Sequence, residues 1–289
     1  MIIYDRNAWF KISTSYKGTV LPATLTRVAM ITALSLVLHI LKEILPKEYS
    51  LPNLDPLGHT VLGSTIGLLI VFRTNSSNAR YWEARSNWGM LINSARSLAR
   101  MGQVYAGGKA SDLAELISAY VIAVKQNLRN DTDLEEISHL VPGKLFEQAS
   151  RAGNAPTILA RAISEWIFAR YAEAKLDIRI ANNMETILAK MVDSQGGCEK
   201  ILKTPLPFVY AALIKQTLMI YLFTLPFVLV ERMGLAGPLI VAVVSLGMLG
   251  IEEAGVETEA PFATDANDLP LEQFCLTIVR DTHQVTSDK

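Results

Sequence analysis

Four long apolar runs dominate the pattern of hydrophobic and polar positions along this chain. They cover residues 25–45, 57–72, 205–230 and 235–251. A helix needs about 20 mostly apolar residues to cross the hydrocarbon core of a bilayer, or slightly fewer when flanking polar side chains reach the interface. The first and third runs have that length, and the second and fourth reach it with their flanking residues. The pattern therefore predicts four transmembrane helices rather than the core helices of a soluble bundle.

The spacing of the runs groups the four helices into two hairpins. This predicts transmembrane hairpins at 25–72 and 205–251, separated by a polar segment at 73–204 and flanked by polar segments at 1–24 and 252–289. Apolar residues recur at helical spacing in the long middle segment, and no convincing strand alternation accompanies them. We therefore predict an all-α membrane protein with four transmembrane helices per subunit and a large helical cytosolic region.

Lysine and arginine are concentrated outside the short hairpin loops, which carry only Lys47 and Arg232. Positive residues mark the cytoplasmic side of a membrane protein. Both termini and the middle segment are therefore expected in the cytoplasm. Lys215 lies within the third run, where a charge can be functional. The simpler interpretation, which we favour, is that Lys215 extends to the inner interface.

Composition agrees with a membrane protein and narrows its chemistry. The chain is 50% hydrophobic and 19% charged, with a mean hydropathy of +0.26 and a formal net charge of −1. That charge gives no reason to expect a nucleic-acid partner. Cys198 and Cys275 lack metal-site spacing, and no nucleophile, base or phosphate-loop motif is present. We therefore expect no enzyme activity and no cofactor.

The second apolar run contains a stripe that could line a pore. Leu62, Ile66 and Ile70 recur every four residues and share one face of a helix. Gly63 and Gly67 form a small-residue stripe beside it, which would let another helix approach closely. A ring of such helices could close a dry, hydrophobic constriction. The same spacing is also ordinary for a face buried in the protein or exposed to lipid.

A second stripe competes with this one for the pore-facing position. It consists of Ser64, Leu68 and Phe72 at the same spacing.

After the fourth run, a segment rich in carboxylates includes Asp265 and Asp268. These two residues are weak candidates for a Ca²⁺ site, because carboxylate oxygens are preferred Ca²⁺ ligands. The segment lacks EF-hand spacing, so a solvated or helix-capping role is the more common explanation.

Three segments together resemble the bestrophin family in its bacterial form. They are FRTNSSNARYWEARSNW at 72–88, GGCEKILKTPLPFVY at 196–210 and EEAGVETEAPFATDANDLPLEQ at 252–273. The resemblance implies a homopentamer around one central pore, in the bilayer of a bacterial inner membrane, that conducts monovalent ions. It also implies that the second helix of each subunit lines a narrow neck.

On that resemblance we assign the neck to Leu62, Ile66 and Ile70. The family has a second constriction in the cytosolic vestibule, which we place at Ile180, with Asp177 as a possible vestibule charge.

Two departures from the family bear on selectivity and regulation. Animal bestrophins have phenylalanines in the neck and conduct chloride, and the positive ring edges of phenylalanine can favour an anion. An aliphatic neck loses that feature, so we expect a preference for Na⁺ and K⁺, with an anion channel as the alternative. Ala266 and Asn267 interrupt the acidic run of the family's calcium site, which argues against calcium activation. A secondary transporter or a membrane enzyme is disfavoured.

Overall fold

The computed structural model describes residues 2, 4–46, 54–106 and 110–287, and the described part is helical without a strand. Its ten α-helices are, in chain order, α1 Trp9–Ser13, α2 Leu21–Ile44, α3 Pro56–Met101, α4 Ala110–Leu128, α5 Gly143–Arg151, α6 Ala155–Ala172, α7 Ile178–Lys203, α8 Phe208–Met233, α9 Ala236–Glu259 and α10 Leu271–Thr286. A π-helical turn, Gly102–Ala106, extends α3, and a short 3-10 helix, Glu135–Ile137, follows α4.

Four of the described helices, α2, α3, α8 and α9, are long and apolar enough to cross a membrane. This confirms the all-α fold and the four membrane helices predicted from hydropathy. The second of them is much longer than its apolar run. Helix α3 continues from Pro56 to Met101, and the predicted boundary at residue 73 falls inside it. No proline occurs between Pro56 and Pro142, so nothing in the backbone ends the helix where the apolar run stops.

The chain divides into two compact units. The first comprises Met1–Tyr81, Pro205–Ala260 and Asp265–Asn267. Its core joins aliphatic side chains of all four membrane helices, among them Val28, Ile66, Ile70, Ile214, Leu218, Leu222 and Val241. Pro226 lies inside α8 without ending it. Membrane helices tolerate an internal proline because neighbouring groups satisfy the backbone carbonyl that it leaves free.

The second unit comprises Trp82–Thr204, Pro261–Thr264 and Asp268–Lys289. Helix α4 is its centre, since Leu113, Ile117 and Val124 are fully buried and α6, α7 and α10 pack around it. Burying a charge is costly unless it is paired, and the buried Lys125 ammonium donates to Glu136 at 2.6 Å and Glu272 at 2.9 Å. Ion pairs therefore supplement apolar packing in this unit.

Glu199 on α7 joins three helices of the second unit through its side chain. Its Oε1 accepts hydrogen bonds from Asn127, Asn154 and Gln195 at 2.7 to 3.0 Å, and its Oε2 lies 3.2 Å from Lys203 Nζ. Burial alone would raise the pKa of Glu199, but these donors hold that pKa below its ordinary value. The carboxylate therefore stabilises the unit in its ionised form.

Candidate functional site

The membrane-spanning part of α3 packs one face against its own subunit. Ile66 and Ile70 are 1% and 3% exposed and belong to the core that α2, α8 and α9 complete. Leu62 packs against the same core and is partly buried. An added Cβ at Gly63 would lie 2.9 Å from Tyr221 Oη, whereas one at Gly67 would meet nothing within 4 Å. Only the first of the two glycines therefore permits a close approach within the subunit.

These contacts describe how the neck residues assigned from the sequence pack within one subunit. Ile66, Ile70 and the partly buried Leu62 share a face that packs against the subunit core, whereas a pore-lining side chain faces an axis shared between subunits. The assignment of these three residues to the pore neck stays a prediction. Branched aliphatic side chains at this spacing pack well against neighbouring helices, so packing within the subunit is the other role open to this stripe.

The competing stripe lies on the opposite side of α3. Residues two apart on a helix differ by about 200° around its axis, so Leu68 points away from Ile66. Leu68 and Phe72 are 56% and 55% exposed, and Ser64, one helical turn before Leu68, is also exposed. The Ser64 hydroxyl donates to the Thr60 carbonyl at 2.9 Å, so it needs no partner from outside the helix. This is the face of α3 that folding of the subunit leaves uncovered.

A buried ion-pair cluster fixes the register of α3 immediately after this stripe. Arg73 is 3% exposed and pairs with the buried Glu252 of α9, and its second terminal nitrogen lies 3.4 Å from Glu259. Glu259 also accepts a hydrogen bond from the Leu206 backbone N–H at 3.1 Å. Because these pairs hold Arg73 inward, they also determine that Phe72, one residue earlier, points outward.

Cationic residues near the beginning of α2 and α8 lie at the same level of the first unit as this cluster. Arg27 lies 2.9 Å from Glu253, and Lys215 Nζ lies 3.6 Å from Glu252. We call Arg27, Arg73, Lys215, Glu252 and Glu253 the charged belt. It joins the four membrane helices at one level, early in α2 and α8, late in α9 and within α3, which is where a bilayer interface is expected to cross the unit.

The predicted cytosolic constriction falls at the start of α7. Asp177 is the N-cap of this helix, and its carboxylate accepts hydrogen bonds from the Arg179 backbone N–H at 2.8 Å and from Arg179 Nε at 3.1 Å. These bonds hold the pKa of Asp177 below its ordinary value. Ile178 is 49% exposed, whereas Ile180 is half-buried. The placement of the cytosolic constriction at Ile180 stays a prediction, and the more exposed Ile178 is a second candidate that the sequence analysis did not name.

Asn267, which interrupts the acidic segment after α9, forms two hydrogen bonds through its side-chain amide. Asn267 Nδ2 donates to the Gly18 carbonyl at 3.1 Å and to Glu257 Oε2 at 2.8 Å. Asp265 is exposed in the first unit, and Asp268 is buried in the second. Among the described residues, the structure brings together no group of three or more histidine, cysteine, aspartate or glutamate side chains that could hold a metal ion.

Comparisons with known proteins agree with this architecture. The family model described as Bacterial/Fungal Bestrophin protein matches residues 1–284. A voltage-dependent anion channel-forming protein of Nostoc is 32% identical, with 96% of this chain and 92% of the relative covered. A protein of the same description from Synechocystis is 33% identical, covering 93% and 89%.

Solved structures show the same fold. A mutant of a bacterial bestrophin homologue from Klebsiella pneumoniae superimposes with a TM-score of 0.87 at 24% identity, covering 94% of this chain and all of that one.

Proposed function

We propose, from the premise that this chain belongs to the bacterial and fungal bestrophin family, that five copies surround one pore whose neck is formed by Ser64, Leu68 and Phe72. The chain is a membrane channel of that family and not an enzyme. The observation that carries the neck assignment is the contrast between two faces of one helix. Ile66 and Ile70 complete the subunit core, while Leu68 and Phe72 remain exposed.

The chemistry of the exposed stripe suits a hydrophobic neck. Five leucines and five phenylalanines around one axis would offer no polar group to a passing ion, so a narrow neck would exclude water and block current. Widening would let water enter and allow conduction. Ser64 begins the stripe with a hydroxyl that α3 itself satisfies, so the neck would be polar at that end and apolar beyond it.

We place the cytosolic aperture at Ile178 instead of Ile180. Ile178 is the more exposed of the two and follows the N-cap directly. Asp177 beside it would be ionised at neutral pH, as an ordinary aspartate is, and its hydrogen bonds with Arg179 lower its pKa further. A ring of five such Asp177–Arg179 pairs would carry both signs of charge close to the aperture.

The charge of the permeant ion has two candidates. Anion conduction is favoured by the Nostoc and Synechocystis relatives, which are described as anion channel-forming proteins. It is also favoured by Phe72, because a phenyl ring presents a positive edge. The expectation of Na⁺ and K⁺ rested on an aliphatic neck, and Phe72 on the exposed stripe removes that premise. One observation supports cation conduction: the carboxylate of Asp177 is exposed, and a negative charge near the aperture would attract cations.

The proposed location is the inner membrane of a bacterium, with both termini in the cytoplasm. The concentration of lysine and arginine outside the hairpin loops supports this orientation. So does the charged belt, which joins the start of α2 and the end of α9 at one level. The position of Lys215, 3.6 Å from Glu252, agrees with the interfacial interpretation of that residue.

Recording from purified protein in planar bilayers tests the proposed function. A channel gives discrete unitary current steps, whereas a carrier gives flux without steps. Under a NaCl gradient, the reversal potential moves toward the chloride equilibrium potential for an anion channel and toward the sodium potential for a cation channel. Leu68→Ala and Phe72→Ala should raise the current, and the matched core variant Ile66→Ala should not. A larger current from Ile66→Ala alone would contradict the proposed neck.

A further inference from the structure

A groove on the first unit lies apart from the proposed pore. It is bordered by α2, α8 and α9 and has a volume of about 390 Å³, which is within the range of small-molecule sites. Its walls are apolar and include Met30, Met219, Leu222 and Phe223. Met30 and Met219 are more than half exposed, so the groove opens to the surface of the unit.

One end of the groove is positively charged. Arg27, Lys215 and Glu252 line this end. Glu252 is only 2% exposed and is already paired with Arg73, so it presents little charge to the groove. The side chains of Arg27 and Lys215 are 45% and 52% exposed. Two accessible cations therefore line this end of the groove, although Arg27 also contacts Glu253 and Lys215 lies 3.6 Å from Glu252.

The groove runs from the charged belt into the apolar part of the membrane helices. Lys215 and Phe223 are eight residues apart on α8, a distance of about 12 Å along the helix axis. Both residues line the groove, so its polar and apolar ends are separated along the expected membrane normal. An occupant that matches both ends needs an anionic head and a long apolar tail.

We propose that this groove binds an anionic phospholipid of the surrounding bilayer. Its phosphate would contact Arg27 and Lys215, and one acyl chain would lie against Met219 and Phe223. Basic pockets between membrane helices bind anionic lipid headgroups by this combination of charge and burial. Methionine suits the wall of such a site because its flexible side chain adapts to an irregular chain. The proposal depends on membrane residence alone and not on the assigned neck or ion selectivity.

Native mass spectrometry of the full-length purified oligomer tests this site with defined lipids. Phosphatidylglycerol and phosphatidylcholine with identical acyl chains are titrated into delipidated protein, with inorganic phosphate as a third probe. The double variant Arg27→Gln/Lys215→Gln removes both positive charges, and Arg27→Lys/Lys215→Arg keeps them. Arg232→Gln is the matched control, because Arg232 is an exposed cation at the other end of α8. Met219→Trp fills the groove while the charges remain.

The wild-type protein should bind phosphatidylglycerol in preference to phosphatidylcholine. The double glutamine variant should weaken phosphatidylglycerol binding by about tenfold or more, and Met219→Trp should also weaken it. The charge-retaining variant and Arg232→Gln should bind like the wild type. Equal binding of the two lipids, or unchanged phosphatidylglycerol binding in the double variant, would overturn the proposal. So would saturation by inorganic phosphate alone, or loss of the oligomer in Met219→Trp with lipid binding intact, which would indicate a neighbouring copy in the groove.

Discussion

Arg73→Met is the substitution expected to destabilise the first unit most strongly. The guanidinium is 3% exposed, and it neutralises Glu252, which is 2% exposed. Removing one partner of a buried pair costs about 3–5 kcal/mol, because the remaining charge is left uncompensated. Lys215 lies 3.6 Å from Glu252 and is half exposed, so it offsets only part of that loss. We therefore expect a cost near the lower end of this range.

Replacing both partners should restore most of the lost stability. Arg73→Met/Glu252→Met leaves no buried charge and keeps similar side-chain volume, and such exchanges are often neutral or stabilising. Unfolding of the purified variants in detergent, followed by tryptophan fluorescence, measures both effects. Arg161→Met is the control, because its pair with Glu165 is largely exposed and should contribute less than about 1 kcal/mol. A single variant as stable as the control, or a double variant as unstable as the single one, would refute the role given to Arg73.

Three further outcomes follow from individual contacts. Ile178→Ala should raise the single-channel current more than Ile180→Ala does in the same bilayer recordings, because Ile178 is the more exposed side chain; the reverse order would return the aperture to Ile180. Asn267→Asp replaces the donor that joins Glu257 to a backbone carbonyl with a further oxygen ligand. The melting temperature of this variant should therefore fall in EDTA and rise with millimolar Ca²⁺, while that of the wild type stays unchanged. An equal Ca²⁺ response in both proteins would contradict this interpretation. Glu199 has a lowered pKa, so its contribution to stability is present above its ordinary pKa of 4.5 and disappears as the pH falls through the folded-state pKa. The stability difference between wild type and Glu199→Gln should therefore shrink below about pH 4.5, and a difference independent of pH would show that the hydrogen bonds, not the charge, stabilise the unit.

Hydropathy was sufficient to predict the membrane helices because lipid imposes a length and a composition on any spanning segment. The same signal could not locate the end of α3. Its residues beyond Phe72 are mostly polar, yet the helix continues because no proline interrupts it. The hydropathy pattern shows where the apolar run ends, but it does not show where the helix ends.

The choice between the two stripes of α3 could not be made from spacing. Ile66 and Leu68 belong to stripes with the same four-residue period, and both are apolar. What separates them is the packing of α8 and α9 and the inward pairing of Arg73. These are contacts between residues more than 140 positions apart, and no local pattern contains them. The N-cap at Asp177, by contrast, is a local signal, because an aspartate directly before an apolar helical run marks the start of a helix.

Accessibility of substituted cysteines tests the assigned pore face most directly. Leu68→Cys and Ile66→Cys are recorded in bilayers before and after a charged, membrane-impermeant thiol reagent is added. The native Cys198 and Cys275 give little background, because both are buried and burial raises the pKa of each thiol to about 12. If Leu68 faces the pore, the reagent should change the current through Leu68→Cys and leave Ile66→Cys unaffected. Modification of Ile66→Cys with no effect on Leu68→Cys would contradict the assignment and restore the stripe of Leu62, Ile66 and Ile70.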